Sequence, residues 1–241
     1  MAYNKIVFGD QTIIDLSLDT ATIDTVVNGV PFMGKNGVIQ VGTMPVSGAT
    51  IVNTELIMDG GLYTSSWSTA SDAEIVKALR MHYSGWCDLT EIWNIGDERT
   101  FQLSDGNEVV YKLGTPLYGG TFSLIPKYAV YTGKYMGTTT GTYDANSTLR
   151  PWCNTTYYNY FSPSVIEIFK PAYSGDYFYI PSSTEATAYM GIMQLANGTK
   201  VNYWTRTKAR YDRFYAVNTS GQLETWRGDE DPAAAIPLGE I

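Results

Sequence analysis

The chain has 241 residues, 44% hydrophobic and 17% charged, with nineteen Tyr, six Trp, twenty-three Gly and a formal net charge of -8. That composition supplies one sizeable core and a smaller accessory unit, and it favours strands, turns and irregular structure over long helices. The negative balance excludes a broad nucleic-acid footprint and attraction to an anionic membrane surface, and no apolar run is long enough to span a bilayer.

Residues Met1 to Lys5 lack the charged start and apolar core of a signal peptide, so synthesis and folding in a cytoplasm are expected. Ile6-Val7-Phe8 and Thr12-Ile13-Ile14, around the turn Gly9-Asp10-Gln11, predict a small hairpin. Val26 to Val30 suggests a single helical turn closed by Asn28-Gly29. Gly34-Lys35-Asn36-Gly37 then turns into the strand Val38 to Val41. Such a segment is too small to bury much core alone and is expected to pack on a neighbour or on another copy of itself.

The order strand, Asp15-Leu16, Gly29-Val30, Gly34-Lys35, Gly37, then Gly42-Thr43-Met44 resembles a short module near the start of phage tail and tail-fibre proteins of Gram-positive hosts. The resemblance implies attachment or oligomerisation, with residues 1–47 contacting other tail or virion proteins. Pro45 to Thr50 is small and polar, which places a linker near Ser47-Gly48 and a second domain over residues 48–241.

In that second domain Ile51-Val52 and Leu56 to Met58 are strand candidates, followed by the turn Asp59-Gly60-Gly61. Ser71 with Glu74 three residues on forms a capping box for a helix whose apolar side is Ile75, Val76, Leu79 and Tyr83, with Gly85 as its end. Trp93 to Leu103 reads as two strands around a Gly-Asp turn, and Val109 to Leu113 and Thr121 to Tyr131 add more strand. Ser147 begins a helical region that runs through Tyr158, Ser162-Pro163 opens a shorter one, and Tyr177 to Ser182 reads as a strand before a polar interval at Glu185. Cys87 and Cys153 are expected to be free buried thiols, without the spacing of a zinc site. Asn146, Asn154, Asn197 and Asn218 open Asn-x-Ser/Thr triplets and read as turn and loop chemistry.

The series Glu74, Ile75, Leu79, Tyr83, Gly85, Asp88-Leu89, Trp93, Gly96-Asp97 and Arg99-Thr100 resembles a domain common in proteins of gut bacteria and their phages. Leu149-Arg150, Trp152-Cys153-Asn154, Tyr177 to Ser182 with Glu185, Tyr203 to Arg206 and Val217 to Gly221 follow in the same order. This family is similar to C-type lectin-like domains, the fold of phage receptor-binding tips and of the variable proteins that diversity-generating retroelements mutate. The chain departs from the Arg-x-x-x-Ala-x-Pro-like tail of those variable proteins, ending instead Ala233-Ala234-Ala235-Ile236-Pro237-Leu238. The resemblance implies an α+β fold, a C-type lectin-like domain behind a small β-rich module, in a homotrimeric tail component of the virion.

The run from Asn202 to Val217 interleaves aromatic and basic residues in an acidic chain. Two short strands flanking a loop of Lys208 to Asp212, a turn at Asn218 to Gly221 and a third strand from Gln222 to Trp226 are expected. Strand aromatics are usually packing residues, so alternate positions should go to core and surface, with Tyr203, Phe214 and Val217 holding the sheet. The expected binding face is Trp204, Arg206, Lys208, Arg210, Tyr211, Asp212, Arg213, Tyr215, Glu224, Trp226 and Arg227, because Tyr, Trp and Arg are enriched where binding energy concentrates. Its expected ligand is a bacterial surface protein or glycan; the alternative is a structural virion or bacterial surface protein whose domain packs against neighbouring subunits.

No pair of carboxylates, nor a histidine with a nucleophile, stands in a catalytic pattern, so no enzyme and no cofactor are expected. His82 rides on the helix as a surface or edge-of-core group. Asp229-Glu230-Asp231 is the one candidate for calcium, but the spaced ligands of a calcium loop and the sugar-binding triplets of calcium-dependent lectins are missing, Trp93-Asn94 being followed by Ile95. A solvated acidic loop is the expectation there.

Overall fold

The structure of the protein, a computed structural model, describes residues 66–83, 85, 88–137 and 141–241, together with the backbone of six earlier strands. Those strands are β1 (Lys5–Phe8), β2 (Gln11–Asp15), β3 (Pro31–Met33), β4 (Ile39–Val41), β5 (Glu55–Met58) and β6 (Gly61–Thr64), which pair as three antiparallel hairpins. The first of them is the hairpin expected around residues 9–11. The turns expected at Val26 to Val30 and Gly34 to Gly37, the strand at Ile51-Val52 and Cys87 lie outside the described residues. The chain divides into two compact units, residues 1–53 and 54–241, where the sequence places a boundary after residue 47.

The larger unit contains both helices and sheets. Helix α1 (Asp72–Tyr83) starts as its capping box dictates: Glu74 Oε2 accepts from the Ser71 amide at 2.7 Å, and Ser71 Oγ accepts from the Glu74 amide at 3.4 Å. Ile75, Val76, Ala78 and Leu79 are buried, and Gly85, at φ +77°, follows the helix in a conformation that favours glycine. Arg99 ties the start of this helix to the sheet. Its Nη1 donates to the carbonyls of Trp67 (3.0 Å) and Ala70 (2.6 Å), and its Nη2 meets Asp72 Oδ1 at 2.6 Å.

One sheet is antiparallel throughout, in the order β17-β9-β8-β7, from β7 (Glu98–Gln102), β8 (Glu108–Gly114), β9 (Ser123–Pro126) and β17 (Gly239–Glu240). Its aromatic core links Trp67 to Trp93 at 5.5 Å between ring centroids, Phe101 to Phe169 at 6.0 Å and Phe169 to Phe178 at 4.7 Å. The second sheet has the order β10-β16-β13-β14-β15, from β10 (Tyr131–Lys134), β13 (Tyr203–Arg210), β14 (Arg213–Val217), β15 (Leu223–Arg227) and β16 (Ala233–Ala235). A short hairpin of β11 (Met193–Gln194) and β12 (Lys200–Val201) stands apart. Met193 nevertheless joins Ala186, Tyr203, Val217, Ala234 and Ile236 in a second apolar cluster.

Several expectations change. Before β7 there is no second strand: Asp97 Oδ2 accepts from the Asn94 amide at 3.0 Å and Gly96 sits at φ +97°, so the chain turns there. Tyr177 to Ser182 forms no strand either. Asn154 intercepts it, its Oδ1 accepting from the amides of Tyr177 (3.0 Å) and Phe178 (3.2 Å) and its Nδ2 donating to the Phe178 carbonyl (2.8 Å), which leaves one isolated bridge from Tyr179 to Leu238. Asn154 is therefore an internal clamp, whereas Asn197 and Asn218 do serve their turns. The interval after Ser182 is helical from Ser183 to Met190, opened by a capping box between Ser182 and Glu185. The helical regions expected after Ser147 and Ser162 are present, at Leu149–Trp152 running on to Tyr160 and at Pro163–Ile166.

The last nine residues are buried and join the two sheets. Ala233–Ala235 lies between β10 and β13, Pro237 accepts a hydrogen bond from the Tyr111 hydroxyl at 2.9 Å, and Gly239–Glu240 pairs with β9. Gly239 is required by that path, since a Cβ there would stand 2.8 Å from the Phe169 ring. Cys153 is free and buried, and burial pushes its thiol up to about 12, so it stays protonated and inert.

Candidate functional site

The aromatic and basic run forms longer strands than the sequence suggests. β13 continues to Arg210, so Lys208 and Arg210 lie in the strand and the hairpin turn is only Tyr211-Asp212. Tyr211 has φ +30° and is 85% exposed. Positive φ at the first central residue of a two-residue hairpin is the place where glycine is the usual occupant, and a bulky side chain there is strained.

Register sorts the expected residues onto two faces, because directly paired residues on neighbouring strands project the same way. Trp204↔Ala216↔Glu224 and Lys208↔Phe214↔Trp226 define one face. Tyr203↔Val217↔Leu223, Tyr215↔Thr225 and Arg210↔Arg213↔Arg227 define the other. As expected, Tyr203, Phe214 and Val217 are buried and hold the sheet.

On the first face, Trp204 is a core residue and not a surface group. Its side chain is fully buried, its Nε1 donates to the Lys134 carbonyl at 2.8 Å, and its ring meets that of Trp226 edge-on at 6.1 Å. Lys208 donates from Nζ to the Gly141 carbonyl at 2.7 Å. Glu224 is exposed, accepting from Asn218 Nδ2 at 2.6 Å and Trp226 Nε1 at 3.1 Å, and these bonds hold its carboxyl below the usual range.

Arg206 also leaves the expected surface. The register shifts between Trp204 and Lys208, and there the Arg206 amide pairs with the Pro181 carbonyl at 2.8 Å instead of with β14. Its guanidinium, with the side chain only 8% exposed, forks onto Glu185 at 2.6 and 2.7 Å. It also donates to the Ile180 carbonyl at 2.7 Å and to the Tyr118 hydroxyl, and lies 4.3 Å from the centre of the Tyr173 ring. Burial raises the Glu185 pKa, but the Arg206 fork, the Ser182 amide and the Tyr118 hydroxyl outweigh it and hold the carboxyl below its ordinary value. Sequence reasoning missed Glu185 as the partner of Arg206; the Ser182-x-x-Glu185 spacing signals the helix start that places it, though nothing local signals the pairing.

At the tip, Asp212 Oδ2 meets Arg227 Nε at 3.1 Å, and the Asp212 carbonyl accepts from the Gly228 amide at 3.1 Å, which fastens the hairpin to the corner after β15. The acidic run folds onto the same arginine: Asp229 Oδ1 lies 3.6 Å and Glu230 Oε1 2.8 Å from its guanidinium, and Asp231 Oδ2 accepts from its amide at 2.7 Å. These carboxylates are counter-charges in a loop that, as expected, is solvated, Asp229 and Glu230 being exposed. Among the described residues no group of three or more His, Cys, Asp or Glu side chains is arranged to hold a metal ion. His82 is half-buried and accepts from the Leu89 amide at 3.3 Å through Nδ1. Among the described residues no helix is long and apolar enough to cross a membrane.

Compared with known proteins, the chain matches no family model, no curated protein and no solved structure.

Proposed function

We propose that this protein is a non-catalytic, phage tail-associated receptor-binding protein that recognises a bacterial surface ligand through a C-type lectin-like domain. Residues 1–47 serve as the attachment and oligomerisation module of a homotrimer, and residues 48–241 carry recognition. The observation that carries the reading is the hairpin tip: an aromatic residue, Tyr211, held 85% exposed in a strained conformation with Arg210 and Arg213 on either side. Strain and exposed aromatic area together are costly in a surface turn that only connects two strands, and both are common at binding sites. The resemblance of the motif series to lectin-like domains gives the class, and the two-sheet arrangement with its buried chain end is compatible with it.

The test is attachment. Fluorescently labelled full-length protein is incubated with a panel of Gram-positive and Gram-negative cells, and retention is compared with that of an Arg210→Ala/Tyr211→Ala variant. Retention on some cells that falls at least tenfold in the variant is the expected result. Equal retention of both proteins would refute the placement, and no retention on any cell would favour the alternative, a structural virion or bacterial surface protein.

A further inference from the structure

The three arginines paired across β13, β14 and β15 are not equivalent. Directly opposed residues in neighbouring strands place their Cβ atoms about 4.5–5.5 Å apart, and like charges so placed destabilise a sheet. For Arg227 the structure supplies an answer in Asp212, Asp229 and Glu230. For the other two it supplies none. Arg213 donates only to the Thr225 carbonyl, at 3.0 Å, and among the described residues neither Arg213 nor the exposed Arg210 has a carboxylate within ion-pair distance. A chain with an excess of acidic residues thus leaves two arginines that are cross-strand neighbours at the hairpin tip without a carboxylate partner among the described residues.

We infer that Arg210 and Arg213 form an oxyanion-binding site, and that its ligand is a saccharide carrying a single phosphate or carboxylate group. The inference rests on the hairpin tip being the recognition surface. Planar guanidinium forks match the oxygens of phosphate and carboxylate, and the pair at Arg210 and Arg213 converts mutual repulsion into two-sided attraction once an anion sits between them. Tyr211 stands between the two in sequence and offers its ring to the C–H face of a sugar. The acidic corner of Asp212, Asp229, Glu230 and Asp231 sets the limit on charge. A densely charged polymer such as nucleic acid would bring its next phosphates against these carboxylates, whereas an isolated anionic group on a neutral ring meets only the arginines.

The full chain is titrated calorimetrically at an ionic strength of about 0.15 M with glucose 6-phosphate and with glucuronic acid, glucose being the uncharged control. Saturable binding of either acidic sugar, with none for glucose, is expected; binding of only one of them keeps the inference and names the anion. Arg210→Gln and Arg213→Gln should each weaken that binding by about tenfold, the loss of one charge-assisted fork. Unchanged thermal unfolding of both variants confirms that the fold is intact. Binding of glucose as tight as that of the acidic sugars overturns the inference, as does acidic-sugar binding indifferent to both substitutions or no binding of either acidic sugar. Cell attachment without acidic-sugar binding removes this inference alone, while acidic-sugar binding without attachment to any cell removes the receptor-binding reading and leaves the anion site.

Discussion

Tyr211 concentrates the conflict between stability and function in one residue. Its φ of +30° is tolerated by glycine and resisted by a residue with a Cβ, so the turn holds a side chain it does not favour. Tyr211→Gly should raise stability by about 1 kcal/mol in urea unfolding while abolishing attachment. A variant that is less stable than the parent would show that the ring contributes packing, contrary to its exposure. Glu185 shows the opposite economy, a buried charge that is fully answered. Its folded-state pKa is depressed, so its contribution is present above the ordinary glutamate value of about 4.3 and is lost as pH falls through the folded value. Glu185→Gln should therefore unfold at lower temperature than the parent at pH 7. The cost of leaving Arg206 unanswered is about 3–5 kcal/mol, and the gap should narrow as the pH falls below the ordinary glutamate value of about 4.3 and the depressed folded-state carboxyl takes up its proton. Melting curves that keep the same separation as the pH is lowered to full protonation of the carboxyl would contradict the pairing as the source.

Among elements, the closing segment 233–241 matters more than its bland sequence suggests. Three alanines read as a departure from a family tail, yet their small side chains suit a strand packed between β10 and β13. Beyond them Glu240 is completely buried and its carboxylate accepts from the amides of Leu117 (2.8 Å), Tyr118 (2.5 Å) and Gly120 (2.8 Å). One side chain thereby fixes the loop that carries Tyr118 toward Arg206. Glu240→Ala strips three buried donors of their partner and should cost about 3–5 kcal/mol in urea denaturation, with Glu240→Gln falling between the two proteins. A loss under 1 kcal/mol would mean that water replaces the carboxylate. The hairpin elements carry a similar lesson: β13 reaches Arg210 because the turn accepts a positive φ at tyrosine, which no local sequence rule anticipates.

At the scale of the molecule, net charge and local charge act in opposite directions on an acidic ligand. The formal charge of -8 repels anions at long range, while Arg210 and Arg213 attract them only near contact. At 0.01 M salt the screening length is about 30 Å and the whole molecule is felt; at 0.15 M it is about 8 Å and the tip dominates. The association rate of an acidic sugar should therefore rise between these salt concentrations, measured by stopped-flow fluorescence. A falling rate would indicate that attraction already governs at long range and that the acidic surface faces elsewhere.

Much of the scaffold was legible in the residues. The Ser71/Glu74 capping box marks where α1 begins and apolar spacing its buried side, except at Tyr83, which is exposed. Tyr203, Phe214 and Val217 are inside as expected, though on both faces of the sheet and not by alternation, since Trp204 and Ala216 beside them are buried as well. These signals are local, set by hydrogen bonds and periodicities within a few residues. The site was legible only in composition: that Tyr, Trp and Arg gather between residues 202 and 227 is plain, but not which of them face solvent. Trp204 and Arg206 went inside because a register shift in β13 and a carboxylate on a distant helical turn claimed them, and Arg227 was neutralised by a fold-back of the acidic run. Arg210 and Arg213 remain as the pair without counter-charges among the described residues. The sequence by itself determined where α1 and the helical turns after Ser147 and Ser162 begin, and which residue types are gathered between residues 202 and 227. Only the tertiary structure decided which charges are answered, because a buried ion pair depends on partners brought together across the fold and not on spacing along the chain.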